Sequence, residues 1–248
     1  ALGDSNTTDV VHSLSINSVI VGRGTGNVVS NTVVGNSALN ANTTGTNNSA
    51  FGYRALETNT TGTKNAAFGK SALFANTIAS YNAAFGYASL YNNTTGANNS
   101  AFGYSALKSN TVGLSNSAFG YQSLYYNTTG SFNTAVGKNA LLNNTSGKHN
   151  VAVGSGALQS NTFGYSNIAV GLNSLYSNTI GDTNTAIGQQ SLGSNTTGST
   201  NVAVGHQSLS SNTIGTGNSS VGFRSLYNNT TGISNSAFGL YALRNNTI

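Results

Sequence analysis

The stretch Asn48-Ser49-Ala50-Phe51-Gly52-Tyr53-Arg54-Ala55-Leu56-Glu57-Thr58-Asn59-Thr60-Thr61-Gly62-Thr63-Lys64 decides the fold. It is one copy of a 17-residue unit that recurs without insertion or deletion, its central glycine falling at Gly35, Gly52, Gly69 and onward to Gly239, thirteen times in all. A fixed period of this length marks a solenoid, in which each unit buries its apolar face only against its neighbours.

Counting from that glycine as zero separates the unit into columns. Column −1 is large and apolar, Phe from Phe51 to Phe119, then Val or Ile from Val136 to Val221, and Phe238. Column +3 is always Ala or Ser, as at Ala55, and column +4 is Leu in every copy, as at Leu56. These columns are expected to form the core. Short apolar runs bounded by Gly and Asn favour strands, and no unit has the length for a helix. Asn48, Gly52, Asn59, Thr60 and Gly62 recur as turn columns, with Asn and Gly expected to supply left-handed backbone. Stacked Asn side chains are expected to hydrogen-bond in ladders. The class is therefore all-β: a parallel β-solenoid (β-roll or β-helix) of 17-residue coils, about thirteen of them, roughly 60 Å long at one strand spacing per coil.

The chain divides into three parts. Residues 1–16 lie outside the period and are expected to lead into or cap the first coil with a short strand. Residues 17–34 read as a short first coil, because Gly22 precedes Gly35 by 13 positions instead of 17. Residues 35–248 are the regular solenoid. The chain lacks an initiator Met at Ala1, as expected of a processed chain or an excerpt, and it stops partway through a unit. An uncapped last coil would leave a strand edge open to pairing, so more protein or an end-to-end partner is expected there.

Composition narrows the function. Only 5% of residues are charged, and the nine Lys and Arg occupy different columns with no run, unlike a nucleic-acid groove. No Cys is present, which removes disulfides and thiolate metal sites. No apolar run approaches the ~20 residues of a membrane span. His12, His149 and His206 fall in unrelated columns, and the carboxylates Asp4, Asp9, Glu57 and Asp182 do not converge, so neither catalysis nor a metal or other cofactor is expected. Asn42, Asn59, Asn93 and Asn127 match the N-glycosylation triplet, although turn and ladder chemistry already accounts for them.

Aromatic residues also recur outside the expected core, at column +1 (Tyr53, Tyr87, Tyr104, Tyr121, Phe223) and column +5 (Phe74, Tyr91, Tyr125, Tyr176, Tyr227). Such stripes suit packing between chains, with three chains side by side as the favoured assembly. Tyr91, Tyr125, Tyr176 and Tyr227 could alternatively meet the rings of a surface glycan. The Thr43–Thr60–Thr94 column raises ice binding as a lesser alternative.

At Asn17-Ser18-Val19-Ile20-Val21-Gly22, and at each Asn-[Ser/Thr]-Ala-[Phe/Val/Ile]-Gly, the sequence resembles the head repeats of trimeric autotransporter adhesins. With its Asn-Thr-Thr-Gly turn it is similar also to repeat regions of phage and bacterial fibre proteins. The resemblance covers residues 17–248. It implies a left-handed β-roll in a trimer, and a fibre or adhesin at a cell or virion surface; fold alone does not carry function. Two functions stand: a structural shaft or filament whose partner is itself, as homotrimer or end-to-end polymer, or a head that recognises a host-surface glycan or receptor. Columns +1, +2, +5, +11 and +12 vary from copy to copy, which suits a passive surface and favours the first.

Overall fold

The computed structural model describes residues 13–16 and 19–248. All of its regular structure is strand, in one sheet of 15 strands that follow one another in chain order. Strands β3 (Thr32–Val34) and β4 (Ser49–Phe51) open a series of three-residue strands that runs to β15 (Ser236–Phe238). Each pairs in parallel with the next, residue for residue 17 positions on, as in Ala50 with Ala67 and Phe51 with Phe68. The chain is thus a parallel β-solenoid with a 17-residue coil.

The N-terminal part departs from the short coil expected of residues 17–34. β1 (Ser13–Ile16) pairs antiparallel with β2 (Val19–Gly22), and β2 pairs antiparallel with β3 through Val21–Val34 and Gly22–Val33. A four-residue shortfall leaves too little chain to circle the core, so the backbone reverses as a hairpin. The segment after β2 folds over the first coil. The Thr25 hydroxyl donates to the carbonyl of Asn40 at 2.6 Å, and Gly24 lies against Leu39, which is fully buried. At the other end Leu243 is 52% exposed. The first residues, including His12, Asp4 and Asp9, lie outside the described part.

Within a coil the strand alternates, and this corrects the expected core. The middle residue, Ala50 and its equivalents, is completely buried, while Phe51 points to the outer face and is only half-buried. Successive strand residues face opposite sides, and Leu56 already fills the interior opposite Ala50. A thin coil has room for a methyl group there, not a phenyl. The phenyl rings stack outside instead: Phe51, Phe68, Phe85, Phe102 and Phe119 lie 4.6–4.9 Å apart, within 7° of parallel.

The rest of the interior is polar. Asn48 and Asn59 are fully buried. The Asn48 backbone N–H donates to Oδ1 of Asn31 one coil before (2.8 Å), and its Nδ2 donates across the coil to the Gly62 carbonyl (2.8 Å). Asn59 Nδ2 donates to the same carbonyl at 3.1 Å and to Asn42 Oδ1 at 3.0 Å. Two ladders therefore run the length of the rod and meet at each column +10 carbonyl. Fully satisfied buried networks of this kind fix register, since a slip would leave amides unpaired in a dry interior.

Of the columns expected to be left-handed only that of Gly52 is so, and the others lie elsewhere. Asn48, Asn59 and Gly62 have ordinary φ; positive φ falls on Gly52 (132°), Arg54 (60°), Leu56 (50°) and Lys64 (58°), and repeats in each coil. Leu in this region costs roughly 1–2 kcal/mol. Complete burial of the side chain, worth about 1.5–3 kcal/mol, offsets it. Gly52 is required twice over: its φ is left-handed, and an added Cβ would lie 2.6 Å from the Gly69 carbonyl oxygen. At Gly62 an added Cβ would press on the next coil's carbonyl and on Asn59 Oδ1, a crowding that this column accommodates once, at Ala79.

Candidate functional site

With the interior committed to holding the coils together, function must lie in the outward columns. Column +8 is only partly outward. The Thr60 hydroxyl donates to the Thr77 carbonyl at 3.1 Å, and the same bond recurs from Thr43 to Thr230. These hydroxyls are therefore spent on coil-to-coil bonding, whereas an ice-binding face needs a free array. The glycosylation triplets fare similarly: Asn42, Asn59, Asn93 and Asn127 are at most 3% exposed, and their Nδ2 groups are hydrogen-bonded in the ladder. A sugar on that nitrogen has no place in the closed coil.

The charged and aromatic columns interlock in a way that sequence reading missed. Lys70 stands between Tyr53 and Tyr87 in column +1, its Nζ 5.8 Å from each ring. Lys108 lies over Tyr125 at 5.4 Å and donates to its hydroxyl at 3.3 Å. Arg54 covers Phe74 at 4.4 Å and pairs with Glu57. Cations over ring faces gain about 0.5–1 kcal/mol at exposed sites. Reading each column downward, rather than along the chain, would have found them. His149 stacks on Phe132 at 5.0 Å, and Asp182 Oδ1 accepts from the Tyr165 N–H at 2.8 Å. Among the described residues no three His, Asp or Glu gather as a metal cluster.

The four tyrosines of column +5 are not one site. Tyr91 stacks on Phe74 at 4.9 Å, and Tyr125 meets Tyr126 edge-on at 4.6 Å, with Lys108 between the two tyrosines in the column. Tyr176 and Tyr227 instead wall one cleft of about 250 Å³, also lined by Asn173, Gln190, Gly193, Ser194, Gln207 and Ser210. The cleft exists because Gly193 and Ser210 occupy the two places between the tyrosines in the column.

The larger outward feature is the outer face of the sheet. Column −1 is an unbroken apolar stripe from Val34 to Phe238, partly exposed along its length, with Phe119 and Ile187 about two-fifths exposed. Among the described residues no helix is long and apolar enough to cross a membrane. Compared with protein-family models, curated proteins and solved structures, the chain matches none.

Proposed function

We propose that this chain is a structural shaft: a β-solenoid rod of an extracellular fibre or filament, carried on a cell or virion surface, with no catalytic activity. Its partner is itself, three copies side by side or copies joined end to end. The observation that carries the reading is column −1, which is apolar in every coil from Val34 to Phe238, whereas the other outward columns mix apolar and polar residues. A continuous patch of this kind usually marks an association surface. The flat sheet face beneath it suits lateral packing better than the uneven tyrosine columns first expected to serve. The ladders support the same reading, since they give a stiff body whose register cannot drift. The likeness to adhesin heads and fibre repeats agrees with a surface location and with left-handed trimeric packing.

Analytical ultracentrifugation tests the assembly. A species of three chains is expected at micromolar concentration, and Phe85→Lys with Val136→Lys should convert it to single chains without altering the circular dichroism of the coil. A stable monomer of the unsubstituted chain at that concentration overturns the lateral reading. Low-resolution imaging then separates trimers from continuous filaments.

A further inference from the structure

We propose that the cleft between Tyr176 and Tyr227 is a binding site for one or two pyranose rings of a neutral oligosaccharide. The site goes beyond the shaft reading and does not rest on it.

The argument starts from the column. Where aromatic residues follow one another in adjacent coils their rings stack, as Phe74 and Tyr91 do at 4.9 Å. Tyr176 has no such follower: Gly193 comes next and Ser210 after it, so two ring-sized places are empty before Tyr227. Tyr176 is 37% exposed and held from the far side, its hydroxyl accepting from Gln159 Nε2 at 3.2 Å. The slot is about three strand spacings long, roughly 14 Å. Its volume lies just below the ≈ 300–1,000 Å³ of pockets for drug-sized ligands, which suits one or two sugar rings.

The floor is polar, uncharged and preorganised. Arg224 Nε donates to Gln207 Oε1 at 2.7 Å, and Gln207 Nε2 donates to Gln190 Oε1 at 2.8 Å. This directed chain fixes both amides and leaves the Gln190 amide N–H groups facing the cleft as polarised donors. Asn173, Ser194 and Ser210 add groups that both donate and accept. An apolar ring face beside a set of donors and acceptors matches a pyranose, whose C–H face is apolar and whose rim carries hydroxyls. A flat aromatic ligand would satisfy the walls but waste the floor, and an anion would find one cation, Arg224, which lies 5.3 Å over the Tyr227 ring with its Nε committed to Gln207.

The test uses the full chain and a panel of defined neutral oligosaccharides built from hexoses and N-acetylhexosamines, beside an acidic panel. Binding to at least one neutral member is expected by glycan array and calorimetry. Gly193→Tyr restores the column's ordinary occupant at a position of ordinary φ, so the fold should hold while the slot closes and binding disappears. Tyr176→Ala should weaken binding about tenfold or more, and Tyr91→Ala, at another part of the rod, should leave it unchanged. Absence of neutral binding, preference for the acidic panel alone, or full binding by Gly193→Tyr would overturn the proposal. None of these outcomes bears on the sedimentation test of the shaft.

Discussion

Two stretches of column −1 run on the same scaffold with different chemistry. From Phe51 to Phe119 the outer face is a stack of phenyl rings, and from Val136 to Val221 it is a row of branched aliphatics. Column +3 shifts with it, from mainly Ala to mainly Ser; the hydroxyls of Ser174 and Ser191 turn back to the column-zero carbonyl, the latter to Gly188 at 2.9 Å, and those of Ser208 and Ser225 reach the strand of the next coil. Register, the buried Ala and Leu columns and both Asn ladders cross the boundary unchanged. The interior therefore specifies the coil, and the outer residues are free to be chosen for what the rod touches.

Substitutions placed in pairs, one in each stretch, sharpen that conclusion. Gly103→Ala and Gly188→Ala force a Cβ to within 2.5 Å of the next coil's carbonyl at a left-handed φ. Each should cost about 5 kcal/mol or more, in the exceptional range for one residue. Urea unfolding should then split into two transitions, because a broken junction uncouples the coils on either side. Leu107→Ala and Leu192→Ala should each cost about 3 kcal/mol, read from the same denaturation curves. A difference above about 1 kcal/mol within either pair would mean that the outer face feeds back on the interior. The exchange Phe85→Val, which removes two ring stacks, should cost about 1–3 kcal/mol, and Val170→Phe less than about 0.5 kcal/mol. Both are expected to change sedimentation more than stability.

Much of this was legible in the sequence, and the misreadings have physical causes. The period, the strands and the invariant Leu56 column follow from spacing alone. Phe51 misled because size suggests burial, yet the alternation of a three-residue strand offers one inward place and Ala50 takes it. The left-handed Leu56 was invisible because propensity argues against it; only the closed coil shows that its side chain must turn inward there. The stacked amides of Asn48 and Asn59 form the ladders expected of them, but without the left-handed backbone that Asn tolerance of such turns suggested. The reversal of β2 follows from the shortened spacing between Gly22 and Gly35, which reads equally well as a tight coil. The cleft at Gly193 was present in column +5 as two consecutive small residues, but it becomes a site only when coils stack and the missing rings leave a space.

The ladders that hold each Asn to the Asn of the preceding coil also set how the rod behaves under load. Tension applied along the axis passes equally through every junction, and the end coil, held by one neighbour where the others have two, yields first. Once that coil yields, 17 residues are released, lengthening the tether by about 55 Å, and the next coil meets the same force. A body built this way gives ground in equal steps, each absorbing work, where a domain with a single cooperative core would fail at once.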